Sequence, residues 1–158
     1  SRFFLAGLHP LYFLSEKTLL VHGSPLEPAT EYLRGGQETA ISLQYLYAEG
    51  FKLCFCGHTH QAAVYYVDRR EYGALYPAPE QTITLNKDCA IVNPGSVGFP
   101  RIFGATANRE TELADKTHFP AYFTLWDTKA HTITFKAAYY DAHTTNEKIK
   151  QRLGTTLL

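Results

Sequence analysis

Two short apolar runs, each meeting a glycine and a histidine, flank a stretch with the period of a helix, and this order limits the fold more than any other feature of the chain. Thr18-Leu19-Leu20-Val21-His22 runs into the turn cluster Gly23-Ser24-Pro25, the mark of a buried strand whose C-terminal end carries His22. Residues 38 to 49 contain no Gly or Pro, and Ala40, Leu43, Leu46 and Tyr47 recur at helical steps until Gly50 stops them, which predicts an amphipathic helix. A second strand follows over residues 52 to 56. Strand, helix, strand is a parallel crossover, and the C-terminal ends of parallel strands are where open α/β sheets place their chemistry.

The rest of the chain reads mainly as β. Short β-rich runs cover residues 62–67, 82–85, 90–93, 122–126 and 132–138, the last two joined by a polar hairpin around Lys129, and a final helix is predicted from about Asn146 to Leu153. Residues 103 to 118, polar and without period, read as a surface loop with a functional bias. No internal repeat or linker divides the chain. At 158 residues, 45% apolar and 14% aromatic, it has the size and composition of one domain with a core of its own.

Fifteen Lys and Arg balance fifteen Asp and Glu, and no basic run offers the footprint of a nucleic-acid binder. Nucleic acid is therefore not an expected partner except as a phosphodiester substrate. No apolar run reaches the roughly 18 residues of a membrane span, and the start lacks a clean leader pattern, so a cytoplasmic protein without a membrane partner is expected. Three cysteines, two of them one residue apart, make a poor disulfide framework and fit a reducing compartment. The chain starts at Ser1 and contains no Met, so processing or cleavage is expected to have set its start.

The stretch Leu53-Cys54-Phe55-Cys56-Gly57-His58-Thr59-His60-Gln61 places four potential metal ligands at alternate positions. On a straight strand alternate residues stand about 6.6 Å apart, so four of them span about 20 Å, far beyond the reach of one tetrahedral zinc. Cys54 and Cys56 are better read as small buried hydrophobes. Gly57 is expected to let the chain leave the strand in a conformation closed to other residues, so that His58 and His60 turn into one pocket. They could grip one metal, or each could serve one of two metals about 3.5 to 4 Å apart. His9, His118, His131 and His143 have no such context. Neither Ser24 nor Ser96 sits in a G-x-S-x-G elbow, and no phosphate-binding glycine loop occurs.

Gly57-His58-Thr59-His60 resembles the GHTH motif of the calcineurin-like metallophosphoesterases. Upstream, LLVHGSP resembles the strand of that family that ends in a metal-binding His. Downstream, NPGSVGFPR from Asn93 to Arg101 resembles a segment of its small bacterial and archaeal phosphodiesterase-like branch, and TFKAAYYD resembles that branch's last strand. The resemblance implies a four-layer αββα sandwich of mixed β-sheet and flanking helices, of which this chain would supply one sheet and its helices. It implies two divalent ions (Mn, Fe, Zn or Ni), with His22 and His58 on the second and His60 on the first. The implied reaction is hydrolysis of a small phosphomonoester or phosphodiester by a metal-bridging hydroxide. Arg101, Asn93 and Gly57 would lie on the substrate side, with Arg101 able to fork onto phosphate oxygens.

The family's other ligands, an Asp-x-His, a Gly-Asp pair and an Asn-His, do not occur before His22. The expectation is therefore that residues 1–158 form the C-terminal part of a single metallophosphoesterase domain whose N-terminal metal-binding half is absent, inactive as a fragment. Its seam would then be exposed at the strand bearing His22, favouring self-association. The alternative is a non-catalytic scaffold of the same fold that binds partner proteins.

Overall fold

The computed structural model describes residues 2–98, 118–141 and 143–153. A short helix α1 (Arg2–Ala6) precedes the hairpin β1 (Leu11–Ser15) and β2 (Thr18–Val21), then come helix α2 (Gln37–Ala48) and β3 (Leu53–Phe55). The hairpin β4 (Ala62–Asp68) and β5 (Glu71–Leu75) follows, then β6 (Thr82–Thr84), β7 (Cys89–Pro94), the hairpin β8 (His118–Asp127) and β9 (Thr132–Asp141), and helix α3 (His143–Leu153). The strands form a six-stranded sheet of order β1-β2-β3-β7-β4-β5 and a three-stranded sheet of order β6-β9-β8.

The crossover is built as its sequence reads, with β2 parallel to β3 and β3 parallel to β7. These central strands are covered on both faces, which explains their near-continuous apolar character. One face packs on α2, where Leu43 and Leu46 join Leu19, Val21, Cys54, Tyr65 and Ile91 in a single cluster. The other face carries Leu53, Val64, Ala90 and Val92 against Ile133 and Phe135 of β9. Phe55 and Trp126 close that layer with ring centroids 5.5 Å apart. Mixed sheet and flanking helix are as expected of the fold class, and the same chain also supplies a second β layer where one sheet was anticipated.

Further departures have local causes. The strand bearing His22 is no open seam, since β1 pairs with it in antiparallel register, Leu11 opposite Val21. On that side the sheet ends at β1, whose Tyr12, Phe13 and Leu14 are exposed. Strand β5 was not anticipated because Glu71-Tyr72-Gly73-Ala74-Leu75 is mostly exposed and has no alternation to read. Helix α3 begins at His143 rather than near Asn146, after a turn in which the Asp141 carboxylate accepts the His143 N–H at 2.8 Å.

Candidate functional site

Because β2, β3 and β7 run parallel, their C-terminal ends open on the same edge of the sheet, and each delivers one motif there. His22 follows β2, the Gly57-to-His60 loop follows β3, and Asn93 and Pro94 close β7. The ladder continues past the strands: the Cys56 N–H donates to the Val92 carbonyl at 2.9 Å, and the Gly57 N–H to the His22 carbonyl at 2.9 Å. Gly23 is needed beside His22, since a Cβ there would lie 2.6 Å from the Glu27 carbonyl oxygen.

His22 and His58 meet. The Nε2 of His22 and the Nδ1 of His58 are 2.9 Å apart, with the rings edge to face at 4.7 Å between centroids. Partial burial, then the nearby His58 and His60, hold the His22 imidazole below its ordinary value, which favours the neutral form that binds metal. The backbone under this pair is unusual. His58 and His60 both take left-handed φ values, 63° and 62°, a conformation uncommon outside glycine though histidine is among the residues enriched there. Each such residue stores roughly 1–3 kcal/mol and persists only where the surroundings hold it.

This corrects the role expected of Gly57, whose φ is not left-handed; a Cβ there would meet only His22 atoms at 3.5 and 3.6 Å, an ordinary contact. The loop bends at the histidines themselves. What holds it is Asn93, fully buried, whose Nδ2 donates to the Gly57 carbonyl at 2.7 Å and to Thr59 Oγ1 at 2.9 Å. Its Oδ1 accepts the Gly95 N–H at 2.9 Å. Expected on the substrate side, Asn93 has its amide committed within the chain and serves to hold the loop. Arg101 and residues 103–117 lie outside the described residues.

The cysteine thiols belong to the core, although that of Cys56 also hydrogen-bonds the Asn93 side chain. Cys54 and Cys56 are buried in the α2-facing core with Cys89. Burial pushes the Cys56 thiol up to about 12 and Cys89 up to about 11, and raises Cys54 further, with Cys56 and Cys89 adding to that rise. Sequence reading missed Tyr32 and Arg34. The Tyr32 ring stacks on His58 at 3.9 Å between centroids, and the Arg34 guanidinium lies 4.7 Å over Tyr32. Neither falls in a periodic segment or a turn cluster, so no spacing marks them.

Among the described residues no group of three or more His, Cys, Asp or Glu side chains is placed to hold a metal ion. The histidine pair fits an ion in part. Two nitrogen ligands about 2.1 Å from one ion stand about 3.4 Å apart at the tetrahedral angle and about 3 Å apart at the right angle of octahedral coordination, and the separation found is close to the second. A pair of imidazoles alone leaves most of a divalent ion's coordination to other donors.

No protein-family model matches the sequence, and no curated protein matches it. Among solved structures, the chain is similar to the crystal structure of a metallophosphoesterase from Sphaerobacter thermophilus, with a TM-score of 0.70 and 21% identity over 94% of this chain. It spans 55% of the length of that structure. The fold is thus that of a metallophosphoesterase. Among the described residues no helix is long and apolar enough to cross a membrane.

Proposed function

We propose that this chain carries the histidine side of a metal-dependent phosphoesterase centre, acting on a small phosphomonoester or phosphodiester. The observation that carries the reading is the contact of His22 with His58, two imidazoles brought to 2.9 Å from the ends of adjacent parallel strands. A divalent ion (Mn, Fe, Zn or Ni), when bound, supplies Lewis-acid polarisation of a phosphoryl oxygen and acidifies water. In this reading His22 and His58 bind one ion, and His60 serves another. Asn93 keeps Gly57 and Thr59 in register so that both histidines stay on their left-handed backbone. Arg101 would contact the phosphate. The carboxylate donors such a centre needs are not grouped with these histidines among the described residues, so they would come from elsewhere in the whole protein.

The alternative reading is a scaffold of this fold that binds partner proteins without catalysis. The test separates the two. In the full-length gene product, His22→Ala and His58→Ala should each lower bound metal, measured by atomic absorption, and cut hydrolysis of bis(p-nitrophenyl) phosphate by orders of magnitude. Unchanged metal content and turnover in both variants would leave the scaffold as the better account.

A further inference from the structure

The segment between His22 and α2 has no regular secondary structure, yet it is tied down along its length. Ser24 Oγ accepts the Leu26 and Glu27 N–H groups at 3.2 and 2.9 Å. Farther on, Leu33 is 1% exposed, and its carbonyl accepts the hydroxyl of the buried Tyr65 at 3.2 Å. The Arg34 and Gly36 N–H groups both donate to Glu38 Oε1 at 3.2 Å, and the Gly35 N–H donates to Thr39 Oγ1 at 2.9 Å. Tyr32 leaves this anchored stretch immediately before Leu33. Tyr32 is 40% exposed, so filling the core does not account for where it lies.

Its ring lies nearly flat on His58, at 24° between planes, and the Arg34 cation over it adds a cation–π contact to fix it. His58 therefore has its face on Tyr32 and its Nδ1 on His22, and its backbone is left-handed, at φ 63°. We propose that Tyr32 is a positioning residue for His58: its aromatic face fixes the imidazole so that Nδ1 stays aimed at His22 and the pair is presented to a divalent ion. This rests on the reading of His22 and His58 as metal ligands. Groups that orient a ligating histidine typically change metal affinity by about 10- to 100-fold when removed. The aromatic face is the active feature, so the Tyr32 hydroxyl is dispensable.

The test uses Co(II) as probe, read by its visible absorption, on the full-length gene product and on its Tyr32→Ala, Tyr32→Leu, Tyr32→Phe and His58→Ala variants. Tyr32→Ala and Tyr32→Leu should weaken Co(II) binding by about 10- to 100-fold and alter the absorption band, while Tyr32→Phe binds as the unaltered protein does. With no metal added, the His58 ring protons should lose the part of their ring-current shift that Tyr32 supplies in Tyr32→Leu and keep it in Tyr32→Phe, as read by proton NMR. If both the Ala and Leu variants bind Co(II) normally while His58→Ala does not, the positioning role is overturned and the metal reading stands. A Tyr32→Phe variant as weak as Tyr32→Leu also overturns it, by shifting the effect to the hydroxyl. Should the unaltered protein take up no Co(II), or His58→Ala bind it normally, the metal reading itself fails and the proposal falls with it.

Discussion

Burying an amide costs free energy unless its polar atoms find partners, and Asn93 meets that condition by taking the Gly57 carbonyl, the Thr59 hydroxyl and the Gly95 N–H together. Removing it takes a partner from all three at once, although the Gly57 carbonyl keeps the Thr59 N–H and Thr59 Oγ1 keeps the Gln61 N–H. Asn93→Ala should therefore cost about 2–6 kcal/mol, about 1–3 kcal/mol for the Gly95 N–H left unsatisfied and about 0.5–1.5 kcal/mol for each of the other two hydrogen bonds; a urea melt with an unchanged slope measures it. Little or no loss would mean that the histidine loop is held by something other than Asn93. The cysteines test the opposite case, side chains near the histidines in sequence and remote from them in chemistry. With all three buried and their thiols raised, Cys56 to about 12 and Cys89 to about 11, the thiolate is scarce at pH 8 and shielded. A thiol reagent such as Ellman's should find no reactive cysteine in the native protein and three after unfolding in urea. Fast reaction of any one in the native state would restore the cysteines as candidate ligands.

Helix α2 shows at element scale how charge steadies the approach to the site. Burial alone would raise the Glu38 carboxyl, but hydrogen bonds from the N–H groups of Glu38, Arg34 and Gly36 and from the Thr39 hydroxyl outweigh it and hold the carboxyl below its ordinary value of 4.5. A carboxyl whose folded pKa is depressed adds stability that is present above its unfolded value and is lost as pH falls through the folded one. The thermal midpoint of the unaltered protein should thus exceed that of Glu38→Gln at pH 7, and the gap should close as pH drops below 4.5. A gap independent of pH would assign the effect to packing. The helix itself was legible because Leu43 and Leu46 face the core at helical spacing, and β2, β3 and β7 were legible as apolar runs ended by turn residues. Other elements obeyed forces the sequence does not display locally. The β4–β5 turn places Arg69 and Arg70 at φ 50° and 68°, where hairpins ordinarily use Asn or Gly, so the usual signal was missing. At the site, the motif histidines were visible as a pattern, whereas the left-handed backbone of His58 and the stack of Tyr32 upon it come from contacts between distant segments. The inference from Gly57 erred by assuming that the bend belonged to the residue with the fewest restraints.

At the scale of the whole molecule, the second sheet reaches the candidate site through one turn. The Tyr122 N–H of β8 donates to the Ser96 carbonyl at 2.9 Å, and Gly95, at φ 97°, lies so close that an added Cβ would stand 2.9 Å from Tyr122 Cβ. Gly95 in turn gives its N–H to Asn93, which holds Gly57 and Thr59. A packed contact between sheets is thereby linked to the loop that carries His58. Gly95→Ala tests the link, because it combines a backbone that L-residues rarely adopt with an overlap against a β-carbon that no rotamer can move. It should cost about 1–3 kcal/mol from the backbone alone, with the steric contact placing the result toward the upper end. Gly98→Ala is the control, since nothing lies within 4 Å of a Cβ there, and it should stay within about 0.5 kcal/mol of the unaltered protein. If the second sheet sets the site, Gly95→Ala should also weaken Co(II) binding although it touches no histidine, and Gly98→Ala should not. A destabilised Gly95→Ala whose Co(II) affinity is unchanged would show that the second sheet supports the fold but not the site, and would confine the site's support to Asn93 and the anchored stretch around Tyr32.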